Sequence, residues 1–172
     1  MKKGILILFS LLFVVTAFAF DQGTINLGGS ASFESVKADS DADAESIISI
    51  NPNVGYFVID NLSADLNLGY IDYDGDVSTL SIGIGGRYFY RNLYGGLQFD
   101  YQSMSINSSD YTAMYITPKF GYVMPLAENV FIDLGLKYQM GVGDYGGDGS
   151  GSNESSVLQV GVGLQIFLSD LF

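Results

Sequence analysis

The chain has 172 residues, with 7 Lys or Arg against 19 Asp or Glu and a formal net charge of −12. That balance argues against nucleic acid as a partner and against electrostatic attraction to anionic head groups. Zero Cys excludes any disulfide or thiolate metal site, and zero His removes the usual general base.

In chain order, Met1-Lys2-Lys3 is a short basic start, Ile5 to Val15 is an apolar run broken by Ser10, and Ala17-Phe18-Ala19 places small residues at alternate positions. This is the layout of a secretory signal peptide cleaved after Ala19, leaving residues 20–172 as one domain. Removing Lys2 and Lys3 takes the net charge to about −14. No later stretch is a continuous apolar span of the roughly 20 residues that a membrane helix needs.

From residue 24 onward the chain alternates between apolar and polar residues. Ile25, Leu27, Gly29, Ala31 and Phe33 share one face of a first strand, and Ser35 to Glu45 is a polar, acidic loop. Ile50, Pro52, Val54, Tyr56 and Val58, then Leu62, Ala64, Leu66, Leu68 and Tyr70, form the apolar faces of two further strands. Matching parity on both sides requires an odd connection, so Val58 is expected opposite Leu62 across Ile59-Asp60-Asn61, with Asn61 in the left-handed conformation it tolerates. The text of this hairpin, PNVGYFVIDNL from Pro52 to Leu62, resembles the second and third strands of the small outer-membrane β-barrel domains of Gram-negative bacteria.

A fourth strand carries Leu80, Ile82, Ile84, Tyr88 and Tyr90 on one face. Parity then switches across the two-residue turn Arg91-Asn92 into a fifth, with Leu93, Leu97, Phe99 and Tyr101. The sixth sets Met114, Ile116, Pro118, Phe120 and Tyr122 on one face and echoes the second strand 66 residues earlier. The seventh carries Val130 to Tyr138 and the eighth Leu158 to Ile166. Short connections (59–61, 91–92, 125–129) alternate with mostly longer polar ones (35–45, 72–76, 104–110, 142–156). The pattern predicts an all-β fold, an eight-stranded antiparallel up-and-down transmembrane β-barrel. An open edge is not tolerated in hydrocarbon, so strand eight should pair with strand one. Pro52 and Pro118 each delete a ladder donor, and a bulge or gap is expected near each.

The continuously apolar face should point outward, with aromatic girdles of Tyr56, Tyr88 and Tyr122 near the short turns and Phe33, Tyr70, Tyr101 and Tyr138 near the long loops. The opposite parity places Glu34, Asp65, Arg87, Asp100, Lys119, Asp133 and Lys137 in the interior, where unpaired charge is costly. With the sixth and seventh strands centred on Ala127, Lys119 faces Gly135 and pairs diagonally with Asp133; Asp65 with Arg87 is the second expected pair. This network reads as a structural plug or as a narrow, gated path for ions.

Asp39, Asp41, Asp43, Glu45, Asp72, Asp74 and Asp76 read as solvated loop acids, with divalent cations bridging them to lipopolysaccharide phosphates as the alternative; the D-x-D-G-D of 72–76 lacks the remaining ligands of a calcium loop. Gly141, Gly143 and Gly146 spell G-x-G-x-x-G without a following helix, so no cofactor or metal is expected, and Gly143 to Ser156 is read as a flexible loop. The resemblance implies an outer-membrane location in contact with membrane lipid and lipopolysaccharide, and a surface ligand held by the loops. It also implies delivery by the barrel-assembly machinery, for which Phe172 resembles the terminal aromatic signal. Enzymes of similar architecture, the lipid A deacylases, palmitoyltransferases and omptin proteases, each use a catalytic histidine, so no enzymatic activity is expected. The remaining alternatives are a porin-like channel and a soluble lipocalin-like carrier with its apolar face inward.

Overall fold

The computed structural model describes residues 20–36, 45–73, 77–106 and 109–169, with the backbone alone at 32–36 and 45–46. The expected signal peptide, Asp39, Asp41, Asp43, Asp74, Asp76 and Phe172 lie outside the described residues, and the side chains of Phe33, Glu34 and Glu45 likewise.

Eight strands succeed one another: β1 (Ile25–Val36), β2 (Glu45–Ile59), β3 (Leu62–Tyr73), β4 (Val77–Tyr90), β5 (Leu93–Ile106), β6 (Ser109–Pro125), β7 (Val130–Gly147) and β8 (Ser156–Leu168). Each pairs antiparallel with the next and β8 pairs with β1, so the up-and-down barrel closes. Period-two patterning sets the facing. Ile84 is 62% exposed on the outside while Asp65 is 6% exposed within. Apolar side chains therefore form the outer wall, which removes the lipocalin-like alternative.

The hairpin β2–β3 contains Asn61 at φ 62°, as its parity required. Its ladder closes one step beyond the expected Val58 to Leu62 contact: Ile59 pairs with Leu62 and Val58 is displaced as a bulge. Arg91 also takes a left-handed φ of 57° in the two-residue turn between β4 and β5. Both proline expectations hold. Ladder pairs are missing between β2 and β3 at Asn51 and Pro52, and between β6 and β7 at Thr117 and Pro118. On the opposite side of each proline the pairing is continuous, with Gly29 opposite Pro52 and Leu97 opposite Pro118.

Three expectations need correcting. The β6–β7 pair is centred on Glu128 rather than Ala127, because Leu126 to Asn129 form the turn and Leu126 N–H donates to the Val130 carbonyl; Lys119 consequently faces Lys137 instead of Gly135. Residues 143–156 are not a loose loop. β7 continues to Gly147, Asp144 bridges Ser152, and buried Asn153 donates through Nδ2 to the Met114 carbonyl at 3.0 Å. The β1–β8 closure is short, running from Ile25 opposite Leu168 only to Gly29 opposite Leu164. At Gly29, φ is +151°, and a Cβ there would lie 2.6 Å from the Asn51 carbonyl oxygen. This glycine-only bend marks the last rung, beyond which, among the described residues, β1 pairs with β2 alone and β8 with β7 alone.

Candidate functional site

The lumen is built in storeys, starting from the short-turn end. Phe57, Phe89, Phe131 and Phe167 all take the inward parity within three residues of a short turn or of the end of β8. With Phe20, Tyr94 and Val123 they make a buried floor. Phe20 enters from the segment before β1 and stacks on Phe167 at 4.3 Å between ring centroids, with Phe89 at 4.9 Å and Phe57 at 5.3 Å. Backbone bonds hold it there: Phe20 N–H donates to Asn61 Oδ1 at 3.1 Å, and Asn61 N–H returns to the Phe20 carbonyl at 2.8 Å. The Phe rings are almost wholly buried and meet in stacked, tilted and edge-to-face pairs, which stabilises the floor. The sequence reading missed it by treating the inward face as polar throughout; four Phe on that parity close to the same end were the available signal.

Above the floor lies a polar ring. Arg87 donates from Nε to Asp65 Oδ2 at 2.7 Å and from Nη2 to Asp65 Oδ1 at 3.0 Å, a bidentate ion pair as expected from sequence. The same Nη2 reaches Asn26 Oδ1 at 2.8 Å, to which Asn53 Nδ2 also donates. Gln165 Nε2 then bridges Asn53 Oδ1 and Asp133 Oδ2, while Tyr94 OH donates to Asp133 Oδ1 at 2.9 Å. The Tyr94 ring sits 5.3 Å from the Arg87 guanidinium carbon, which returns the chain of contacts to its start. Seven of the eight strands, all but β6, contribute a member. Gly121 on β6 leaves the space in which the Tyr94 ring lies.

The expected Lys119–Asp133 pair does not form, because the shifted β6–β7 register and the Tyr94 and Gln165 bonds take Asp133 elsewhere. Lys119 crosses the lumen and donates to Asn67 Oδ1 at 3.2 Å. Asp100 accepts from Gln98 Nε2 and from Thr117 Oγ1, the latter at 2.6 Å. Lys137 lies directly across the rung from Lys119, and neither ammonium has a carboxylate at ion-pair distance among the described residues. A cavity of about 630 Å³ starts at the polar ring, with Arg87, Tyr94, Asp133 and Gln165 in its lining, and runs past Lys119 and Lys137 toward the long-loop end.

On the outer wall, Tyr56 and Tyr88 are exposed at the short-turn end, with Tyr122 half-buried beside them; Tyr70, Tyr101 and Tyr138 are exposed nearer the long loops. Among the described residues no group of His, Cys, Asp and Glu could hold a metal ion, and no helix is long and apolar enough to cross a membrane.

This is a closed eight-stranded barrel turned inside out relative to a soluble one, with its charges within and its aliphatic residues outside. The crystal structure of Neisserial surface protein A has the same fold: it matches with a TM-score of 0.55 and 16% sequence identity, over 87% of this chain and 98% of that one. No protein-family model and no curated protein matches the sequence.

Proposed function

We propose that the chain is an integral outer-membrane β-barrel whose role is structural and interactive: a plugged barrel in the lipid presenting its long loops to the outside. The observation that carries this is the pairing of an apolar outer wall with a floor of seven buried residues across the short-turn end, which would face the periplasm. The fold of a Neisserial surface protein is consistent with it. In this reading the acidic loops contact lipopolysaccharide and surface ligands, the assembly machinery inserts the barrel after signal-peptide removal, and no reaction is catalysed.

The test is removal of residues 148–155, the connection between β7 and β8. The shortened barrel should still show the heat-shifted gel mobility of a folded barrel and still require detergent for extraction, while adhesion or envelope integrity is lost. Unchanged adhesion and integrity would sink the surface role. Planar-bilayer recording separates this reading from the porin-like one: the wild-type barrel, with incorporation confirmed, is expected to be silent, whereas steady ohmic steps would mean that the floor does not seal.

A further inference from the structure

Three features meet in the outward half of the lumen. The first is the rung formed by Lys119, Lys137 and Gln159 on β6, β7 and β8. Like charges placed directly opposite across two strands repel and destabilise the pair unless something lies between them. Asp100 and Asp133 keep their charge nearby, but they accept from neutral donors, Asp100 from Gln98 and Thr117 and Asp133 from Tyr94 and Gln165, and among the described residues neither makes an ion pair with a lysine. Asn67, whose oxygen holds Lys119, leaves its own Nδ2 without an acceptor.

The second feature is the seam. Beyond the Gly29 to Leu164 rung, β8 has β7 on one side and, among the described residues, no paired strand on the other. Val160 is 79% exposed, and Leu158 and Val162, on the outward parity, line the same cavity as Ser30, Ala31 and the two lysines. A wall residue that reaches both the exterior and the lumen marks a slit through the wall. The third is chemical placement. Unpaired backbone at membrane depth is tolerated where it lines a water-filled cavity. The slit therefore joins a polar interior, lined by Arg87, Lys119 and Lys137 together with Asp100 and Asp133, to an aliphatic exterior, and the lysine rung ends at it.

We propose that this half of the barrel binds a single-chain anionic amphiphile, its carboxylate or phosphate monoester head between Lys119 and Lys137 and its alkyl tail leaving through the slit between β1 and β8. The head turns a Lys–Lys repulsion into two attractions, and the tail meets Leu158, Val160 and Val162 on its way to the outer wall. The inference rests on membrane insertion but not on the role of the loops.

The test titrates the refolded full chain in maltoside micelles with cis-parinarate, a fluorescent long-chain carboxylate. Palmitate and hexadecyl phosphate should displace it, their ranking identifying the head group; hexadecanol should be about tenfold weaker or worse, and acetate or inorganic phosphate should not compete. Lys137→Met should weaken binding about tenfold or more, and Lys137→Arg should restore it. Because the chain has no Cys, the pair Ala31→Cys and Val162→Cys makes a staple across the slit, expected to abolish binding when oxidised and return it on reduction. Competition by acetate as strong as by palmitate, binding unchanged in Lys137→Met, or binding indifferent to the closed staple would each overturn the proposal. Every variant is checked for heat-shifted mobility, and a folded, detergent-requiring wild-type barrel that takes up no cis-parinarate would overturn this site while leaving the surface role standing.

Discussion

The two halves of the lumen share strands, parity and curvature, yet they solve the interior differently. Toward the short turns, aromatic rings interlock under a ring of hydrogen bonds that joins neighbouring strands and, from Arg87 to Asn26, spans the lumen. Toward the long loops, the two lysines face each other, a cavity replaces packing and the closing seam parts. A small barrel interior is commonly filled by side chains throughout. Here filling is confined to one end, so stability and any ligand chemistry occupy separate storeys and can be perturbed separately.

The largest effect should come from breaking the polar ring at its ion pair. Arg87→Ala leaves Asp65 buried and uncompensated, for an expected loss of about 4 kcal/mol, read from urea unfolding in lipid vesicles by circular dichroism. A loss under about 1 kcal/mol would show that water reaches this layer and that the halves do not differ as described. Next, Phe89→Ala should cost about 3 kcal/mol, since the ring contacts Phe20, Phe57, Phe167 and Tyr94. In planar bilayers that variant should also admit brief openings, and a silent trace with full stability would mean that the floor repacks around the hole.

The smallest effect belongs to the long-loop end. Asn153→Ala removes the donor to the Met114 carbonyl and the acceptor for Ser155, at an expected cost of about 1 kcal/mol. Proteolysis between Gly147 and Ser156 should accelerate while global unfolding barely moves. Equal loss in both measurements would couple the two halves and remove the contrast.

The fold is legible in the sequence wherever period-two patterning is strict. The eight strands, the outward apolar face, the left-handed Asn61, the Asp65–Arg87 pair and the gaps beside Pro52 and Pro118 all come from parity and backbone chemistry. Parity is silent about register in a loop without a diagnostic turn residue. The Leu126–Asn129 connection therefore moved Lys119 by two residues along β7, dissolving its expected bond to Asp133. The Phe floor was hidden for another reason: a binary reading scores Phe57, Phe89, Phe131 and Phe167 as breaks in a polar face, although large apolar residues at one depth on several strands are a layer. Asn153 lay in a Gly- and Ser-rich stretch whose composition signals freedom, and a single buried amide overrides it.

Gln165 bears on how the barrel comes together. It sits on the last strand and holds partners on β2 and β7, the strands flanking the β1–β8 junction. With only five backbone rungs at that junction, its side chain works as a clasp, binding both neighbours of the join at once. A chain whose final strand arrives one register out cannot fasten it, so fidelity of closure is checked by a side chain where the backbone zipper is shortest.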